Sequence, residues 1–362
     1  MKIAIFTDSF RDDLGGGSKV AIDLASGLME KGHDILIVTG KHVGDLSKRF
    51  NIFNLPSIKY PLYNNAEMIL PSLSLIETLK NFQPDIIHYH DPFLASIMAL
   101  MVSKYFKKKV VGTIHVDPKH VSEYSVKIDN GVLAKALVGF VSRFSDALIF
   151  VSRYQRKVYA SYLKRKGFYR VIYPGIPDYF FLNDTPVFGK RIITVSRLAS
   201  EKNLKFAFKV MSLVQKEIKV EYIVVGDGPE RENLKNYAKK VGLDVKFLGN
   251  IKREKLPELY KSSSLFFLPS KTETFGLVFA EAMACGLPIV ALNAGAAPEV
   301  VKDAGFICKE NEIEVKNAII KLLNNKSLWE NKVSKAKLRS RKFKMDVFIE
   351  NHIKLYKLLA YN

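Results

Sequence analysis

Residues 273–286 read ETFGLVFAEAMACG and run directly into Leu-Pro. The apolar run 265–268 that precedes them predicts a buried strand, which Pro269 closes. Good helix formers then continue from Gly276 until a glycine stop at Gly286. A strand, a loop and a helix in this order are typical of an α/β protein with a parallel sheet.

Two carboxylates flank the predicted start of this helix. Glu273 is expected in the loop and Glu281 within the helix. The N–H groups of Phe275, Gly276 and Leu277 would lack intrahelical partners and favour an anionic ligand. A nucleotide sugar satisfies such a site, because carboxylates accept hydrogen bonds from hydroxyls while the helix start and nearby cations hold phosphate. The alternative is that Glu273 caps the helix and Glu281 is a solvated charge.

The Glu-x7-Glu spacing, the inner FGL and the closing EAMACGLP resemble the retaining glycosyltransferases of family four. That resemblance implies the GT-B fold, in which two Rossmann-like, doubly wound α/β domains face each other across a cleft. We expect an N-terminal acceptor-binding domain of residues 1–168 plus 344–362, with the basic C-terminal helix crossing back to it. Residues 169–343 would form the C-terminal domain that binds the nucleotide sugar.

By the same resemblance, Glu273 holds the donor sugar and Glu281 holds the ribose. The main chain at Phe275, Gly276 and Leu277 is expected to contact the donor.

Length and composition suit two globular domains. The chain has 362 residues, of which 48% are hydrophobic and 25% charged, enough for two separate cores. A net charge of +20 suits an acidic partner, although a lysine-rich surface also serves solubility or thermal adaptation. Cys285 and Cys308 give no disulfide framework, and Lys2 leads at once into an apolar strand without a signal peptide. A cytoplasmic protein is therefore expected.

A strand–helix–strand pattern over residues 3–39 predicts a parallel sheet at the N-terminus. Three consecutive glycines before the helix let the backbone approach a ligand, and Gly16 and Gly17 are predicted donor contacts. The loop lacks the GxGxxG fingerprint, and the second strand ends at Thr39 without an acidic residue for ribose. A nicotinamide-dependent dehydrogenase is thereby disfavoured.

A histidine ends a later strand. Residues 110–114 predict a buried strand, which puts His115 at its carboxyl end, where the ligands of open parallel sheets collect. The alternative is a histidine that only holds its loop by hydrogen bonding. In the resembling family a histidine at this strand end contacts the donor sugar, which implies a catalytic role for His115.

A second alternation of strands and helices begins after the turn 174–177, where Pro-Gly-Ile-Pro departs from the Asn-Gly-acidic sequence of many family members. Its first predicted strand, 192–196, leads into SRLASEK, so that Arg197 and Lys202 bring two cations to one strand end. Arginine binds a diphosphate by bidentate bonds and lysine as a point charge. The alternative is a surface arginine and a solvated lysine, but the stretch resembles the family's Arg-x4-Lys pyrophosphate motif.

Further donor contacts are implied at Gly226, Gly228, Asn250 and Ile251, which resemble the loops that shape the family's nucleotide site. We expect no catalytic metal and no other cofactor, because no Asp-x-Asp pattern or cluster of hard oxygen ligands occurs. The two cations and the helix dipole would stabilise the leaving diphosphate instead.

The predicted reaction is transfer of a hexose, with retention, from a UDP-glucose-type or GDP-mannose-type donor to an acceptor hydroxyl. Stretches 56–72, 82–92 and 112–125 look most like the family branch that glycosylates lipids such as diacylglycerol, with its sulfoquinovosyl and mannosyl relatives. A membrane glycerolipid is therefore the expected acceptor. A soluble sugar or glycan acceptor stays open, as does a GT-B nucleotide-sugar epimerase, which acts without an acceptor.

No nucleic-acid partner is expected, because no recognised binding module is visible. The sequence does not specify an oligomeric state.

Two segments suit a peripheral place on an anionic membrane. Apolar residues recur at helical spacing beside two cations, namely Leu133, Leu137, Phe140, Val141 and Phe144 beside Lys135 and Arg143. A basic cluster with two aromatics lies upstream, namely Lys104, Lys107, Lys108 and Lys109 with Tyr105 and Phe106. A core-facing helix and a solvated helix end are the respective alternatives.

Overall fold

A computed structural model describes residues 1–11, 15–40, 46–59, 67–118, 132–181 and 183–361. The chain divides into two compact units, residues 1–175 with 345–362 and residues 176–344. A seven-stranded parallel sheet forms the centre of the first unit and a six-stranded parallel sheet that of the second. The prediction of two parallel α/β domains is confirmed. Parts of two stretches used to predict the acceptor, 60–66 and 119–125, lie outside the described residues.

The strands are, in chain order, β1 Lys2–Thr7, β2 Asp34–Thr39, β3 Asn51–Asn54, β4 Ser57–Lys59, β5 Glu67–Ile69, β6 Ile86–His90, β7 Lys109–Ile114, β8 Ala147–Phe150, β9 Tyr169–Val171, β10 Arg191–Val195, β11 Glu221–Val225, β12 Lys246–Gly249, β13 Leu265–Leu268, β14 Ile289–Leu292 and β15 Gly305–Cys308. The described helices are α1 Gly16–Glu30, α2 Leu46–Arg49, α3 Ser74–Phe82, α4 Leu94–Phe106, α5 Val132–Phe144, α6 Arg153–Tyr159, α7 Leu204–Glu217, α8 Arg231–Lys240, α9 Leu256–Lys261, α10 Leu277–Ala284, α11 Ala297–Val301, α12 Glu312–Asn324, α13 Lys326–Ser340 and α14 Met345–Ala360.

The first sheet has the order β3-β2-β1-β6-β7-β8-β9, and β4 pairs with β5 in a separate antiparallel ribbon. The chain builds outward from β1 to β3 and then returns to the other side of β1 as β6. The strand order therefore reverses between β1 and β6, which is where ligands of doubly wound sheets bind. Apolar runs form these strands because helices cover both faces of a parallel sheet, and Ile3, Ala4, Ile5 and Phe6 are fully buried.

The second sheet has the order β12-β11-β10-β13-β14-β15. It repeats the same plan, since the chain builds outward from β10 to β12 and returns beside β10 as β13. The order reverses between β10 and β13, so the loops that follow these two strands meet at one end of the sheet.

The boundary between the units differs from the prediction. Strand β9 pairs in parallel with β8, with Tyr169 opposite Leu148, so residues 169–171 belong to the first sheet. The units separate after Gly175, inside the turn 174–177, and not at residue 168. The short, partly exposed β9 is an edge strand, which its weak apolar pattern did not reveal.

Helix α14 belongs to the first unit and packs on α1. A Cβ on Gly27 would lie 2.5 Å from Cδ1 of Ile349, so the two helices approach closely only because residue 27 is glycine. On the same helix His352 and Tyr356 are buried, and the Tyr356 hydroxyl lies 2.6 Å from Nδ1 of His88 on β6. The end of the chain therefore completes the core of the unit with which the chain begins.

Among the described residues, no helix combines the length and the apolar character that crossing a bilayer requires.

Candidate active site

The switch point of the second sheet collects charged side chains from distant parts of the chain. Arg197 lies two residues after β10, and Lys202 ends the 3-10 turn that follows. Glu273 lies in the loop after β13. Because β10 and β13 are neighbours, the fold brings these sequence-predicted residues to the same strand end.

Lys202 and Glu273 form a hydrogen-bonded ion pair. The Lys202 ammonium donates to Oε1 of Glu273 at 2.7 Å, and the two side chains are only 20% and 11% exposed. Burial lowers the pKa of Lys202, but the charge and hydrogen bond of Glu273 outweigh it, so the pKa ends above its ordinary value. Arg197 lies close enough to oppose this rise by like-charge repulsion. The lysine therefore stays cationic and is not the solvated lysine of the alternative, whereas Arg197 is exposed, as that alternative has it.

Glycines fix the backbone around Glu273. Gly295 has φ +56°, and a Cβ there would lie 2.7 Å from the carbonyl oxygen of Glu273. The same carbonyl accepts the N–H of Ala296 at 2.8 Å. A larger residue at 295 would push the loop away, so the glycine determines where the Glu273 carboxylate lies.

Helix α10 begins immediately after this loop. Its N-cap residue is Gly276 at φ +82°, which has no side chain with which to cap the helix, and the carboxylate of Glu273 pairs with Lys202. Phe275 is buried with its ring 5.2 Å from that of Phe343, which leaves only its main chain for a ligand. Leu277, the first residue of the helix, is partly buried.

Glu281 lies inside α10 and is only 3% exposed. Nε of Arg253 donates to its Oε1 at 2.7 Å, which provides the counter-charge that a buried carboxylate needs. The alternative of a solvated helix charge is therefore wrong for Glu281. Sequence analysis missed Arg253, because it lies in a 3-10 turn after β12 with no local pattern to mark it.

The two predicted glycines after β11 contact the chain's own backbone. A Cβ on Gly226, at φ +124°, would lie 1.9 Å from the carbonyl oxygen of Ser196, and one on Gly228 would lie 2.4 Å from that of Leu198. These glycines let the β11 loop press against the loop that carries Arg197. Asn250 is exposed and Ile251 half-buried, and both follow β12, the next strand outward.

The first unit collects a second group of residues at its own switch point. Gly16 and Gly17 open α1, and a Cβ on Gly17 would lie 3.3 Å from Cβ of His115. Asp91, which directly follows β6, accepts the backbone N–H groups of His115 and Val116 at 2.7 and 3.1 Å. Asp91 itself has φ +64°, an uncommon conformation that often marks a functional site.

Two half-buried aspartates of this group were missed by sequence analysis. Asp8 follows β1, and burial raises its pKa to about 7 even though it accepts the N–H of Ala95 at the start of α4. Burial also raises the pKa of Asp91, and burial lowers that of His115 despite the nearby Asp91. Polar residues directly after two buried strands were a usable signal, but only the strand order shows that β1 and β6 are neighbours.

Within the described part of the chain, no group of three His, Cys, Asp or Glu side chains is arranged to hold a metal ion.

Two family models match the chain. Glycosyltransferase Family 4 matches residues 14–178, and Glycosyl transferases group 1 matches residues 180–339. Among curated proteins, the alpha-monoglucosyldiacylglycerol synthase of Streptococcus pneumoniae (strain ATCC BAA-255 / R6) is 26% identical over 80% of this chain and 71% of its own length. The sulfoquinovosyl transferase SQD2 of Arabidopsis thaliana is 27% identical over 79% of this chain and 59% of its own.

The fold agrees with these matches. The crystal structure of Anabaena Alr3699/HepE in complex with UDP-glucose aligns with a TM-score of 0.79 over 99% of this chain and 100% of its own, at 23% identity. The two parallel α/β domains and the two matching family models together define a glycosyltransferase of the GT-B fold. The chain belongs to glycosyltransferase family 4, and the family and fold class predicted from its Glu-x7-Glu stretch are confirmed.

Proposed function

We propose that the protein is a retaining hexosyltransferase that moves a hexose from a nucleotide diphosphate sugar to a hydroxyl group of a membrane glycerolipid. The observation that supports the donor side most directly is the buried Lys202–Glu273 pair beside Arg197, at the strand end where doubly wound sheets bind ligands. This arrangement puts two cations that suit a diphosphate next to a carboxylate that suits sugar hydroxyls.

In the proposed reaction the cations act on the leaving group. As the bond between the anomeric carbon and the phosphate oxygen breaks, negative charge grows on the diphosphate, and Arg197 and Lys202 stabilise it with charge already in place. The raised pKa of Lys202 keeps it protonated throughout. The N-terminal end of α10 adds its dipole to the same region.

The carboxylates orient the donor. Glu273 keeps one oxygen on Lys202 and holds the hexose hydroxyls with the other, while Glu281, fixed by Arg253, holds the ribose. The acceptor oxygen attacks the anomeric carbon from the face that the diphosphate leaves, and its proton passes to the departing phosphate. His115 contacts the donor sugar, and no metal takes part.

UDP-glucose is the first donor to test. The Anabaena structure of the same fold is of a complex with UDP-glucose, which makes a UDP-linked hexose the leading candidate and GDP-mannose the second.

A lipid acceptor is supported by an apolar surface on the first unit. On α5, Val141 is buried, but Leu133, Phe140 and Phe144 are exposed, Phe144 by 59%. The exposed residues support the interfacial hypothesis, while Ala134, Val138 and Val141 form the core-facing side of the same helix.

Helix α4, which packs on α5, exposes residues spaced four apart: Ile97, Met101 and Tyr105. Lys104 and Lys107 are exposed at the same end of α4. Apolar side chains beside lysines suit an anionic membrane surface. The relatives named for diacylglycerol glycosylation and for sulfoquinovosyl transfer fit the same proposal.

The test is turnover of UDP-glucose and of GDP-mannose, each with chelator and with or without anionic vesicles that contain diacylglycerol. We expect a vesicle-dependent, chelator-insensitive glycolipid with the anomeric configuration of the donor. Glu273→Ala should abolish its formation, whereas Glu258→Ala, an exposed carboxylate on α9, should not. A product only with soluble sugars or glycans would refute the lipid acceptor, and conversion of the donor without any acceptor would indicate an epimerase.

The membrane surface has a separate test. Replacing Phe140 and Phe144 together with serine should lower partitioning onto anionic vesicles at least about tenfold, because two exposed rings no longer enter the interface. Leu338→Ser removes an equally exposed apolar residue from the second unit and should leave partitioning unchanged. Equal binding by all three proteins would refute this surface.

A further inference from the structure

Four of the seven histidines form a row in the first unit, in which His88, His90 and His352 are buried and His115 is half-buried. Their rings follow one another in the order His352, His88, His90 and His115, with centroids 5.8, 4.7 and 5.1 Å apart. Burial lowers the pKa of each, to about 4 for His352. The row therefore consists of neutral imidazoles near neutral pH, each with one proton on one of two nitrogens.

The last two rings share one hydrogen bond. Nδ1 of His90 lies 2.8 Å from Nε2 of His115, a hydrogen-bond distance, and the ring planes differ by only 5°. Because both rings are neutral, one of these two nitrogens carries the shared proton and the other accepts it. In the ring that donates, the other nitrogen is then bare. In the ring that accepts, the other nitrogen carries the proton.

The surroundings of His90 favour one of the two arrangements. Its Nε2 is buried and has no hydrogen-bond partner among the described residues. A proton on Nε2 would be a buried donor without an acceptor, which proteins rarely tolerate. A proton on Nδ1 avoids this and makes His90 the donor to His115.

The surroundings of His115 favour the same arrangement. Asp91 accepts the backbone N–H of His115, and its charge acts on the ring. Nδ1 is the ring nitrogen nearer the backbone, so a negative charge at that end favours a proton on Nδ1. That proton leaves Nε2 bare to accept from His90.

We propose that His90 is a positioning residue whose Nδ1–H donates to Nε2 of His115 and keeps the His115 proton on Nδ1. The consequence for catalysis rests on the proposed function, in which His115 contacts the donor sugar. With Nε2 engaged by His90, the ring has only Nδ1–H left, so His115 meets the sugar as a hydrogen-bond donor and not as a base.

The rest of the row holds His90 in place. His88 lies beside it, and its own nitrogens lie 2.6 Å from the Tyr356 hydroxyl and 2.8 Å from Oγ1 of Thr113. The ring of His88 therefore cannot turn without breaking two buried hydrogen bonds. Helix α14 thus supports His90 indirectly, because its Tyr356 holds His88 and His88 lies beside His90.

The test reads the tautomer directly by ¹⁵N NMR of the histidine rings in the full-length protein, with the His115 signals assigned by comparison with His115→Gln. We expect wild-type His115 as the Nδ1–H tautomer. In His90→Leu, which removes the donor, the ring should shift towards Nε2–H, the form that a free imidazole side chain prefers. In His90→Asn, whose side-chain amide can donate from the position of Nδ1, the wild-type tautomer should return.

Kinetics should follow the tautomer. We expect kcat to fall roughly tenfold in His90→Leu, the rate equivalent of one lost hydrogen bond. The donor KM should change little, and His90→Asn should recover the activity. An Nε2–H tautomer in the wild type, or an unchanged tautomer in His90→Leu, would overturn the proposal. The NMR measurement needs no substrate, so absence of turnover would count against the proposed function alone.

Discussion

Nζ of Lys202 lies 2.7 Å from Oε1 of Glu273, although 71 residues separate the two along the chain. Each comes from the end of a different strand, and the pair exists because β10 and β13 are neighbours in the second sheet. One hydrogen bond therefore couples the part of the site suited to phosphate with the part suited to sugar.

Replacing Lys202 with methionine should lower kcat/KM for the nucleotide sugar by about 10²–10³-fold, the usual effect of removing one group that stabilises transition-state charge. Steady-state kinetics with the active donor measure this. Lys235→Met serves as the control, since Lys235 pairs with Glu232 on the exposed side of α8. A loss of less than tenfold would mean that Lys202 only supports the loop of Glu273.

Breaking the Arg253–Glu281 pair should destabilise the second unit. Arg253→Met leaves the Glu281 carboxylate buried without its counter-charge, which costs about 3–5 kcal/mol. The exposed pair of Lys261 and Asp184 provides the comparison, and Lys261→Met should cost less than about 1 kcal/mol. Urea unfolding measures both, and equal shifts in the two variants would contradict the burial of the Arg253 pair.

Gly228→Ala should weaken donor binding. The new methyl group would meet the carbonyl oxygen of Leu198 at 2.4 Å, so the loop that carries Arg197 must move. Gly189→Ala provides a matched control, because its Cβ meets its nearest neighbour, Oγ of Ser264, at an ordinary 3.5 Å. Titration with the nucleotide diphosphate should show a higher Kd for Gly228→Ala than for the wild type, and an unchanged Kd for Gly189→Ala. Equal affinities of the two variants would refute the role of the glycine.

Asp8 should make stability fall as pH rises. Its pKa is about 7 in the folded protein against 3.8 in the unfolded chain, so the folded state binds its proton more tightly. Between about pH 4 and pH 7 the unfolded chain has lost this proton while the folded protein still holds it. The free energy of unfolding therefore falls as pH rises, by at most about 4 kcal/mol in total. Asp8→Asn should remove this dependence.

Urea midpoints measured from pH 4 to pH 8 check the expectation. The curves for the wild type and Asp8→Asn should converge at low pH and separate as pH rises. Asp34→Asn changes an exposed carboxylate and should run parallel to the wild type. Parallel curves for all three proteins would show that Asp8 is ionised in the folded state.

Local patterns predicted most strands and helices, because strands buried on both faces are apolar throughout and glycines end helices. The run 265–268 is β13 as predicted, and the helix after it begins and ends within a residue of its predicted limits. Strand β9 was missed because it is a short edge strand with a partly exposed pattern. The boundary between the units was therefore placed too early.

The candidate site was predicted unevenly. Two motifs of fixed spacing could be named before the fold was known, Arg-x4-Lys at Arg197 and Lys202 and Glu-x7-Glu at Glu273 and Glu281. Arg253 and His90 could not, since each matters through a neighbour that only the tertiary structure supplies. Asp91 had a local signal, because it directly follows a buried strand, but that signal did not reveal its partner His115. Side-chain partners across a sheet depend on strand order, which a local pattern does not contain.

The unit that begins the chain is also the unit that ends it, and this affects how the protein is made. During translation the second unit, residues 176–344, leaves the ribosome as an uninterrupted segment and can fold as soon as it emerges. The first unit must wait for α14, because His88 bonds to Tyr356 from 268 residues away. The residues of the N-terminal sheet that contact α14 therefore stay uncovered until α14 is made, and the first unit is completed after the second.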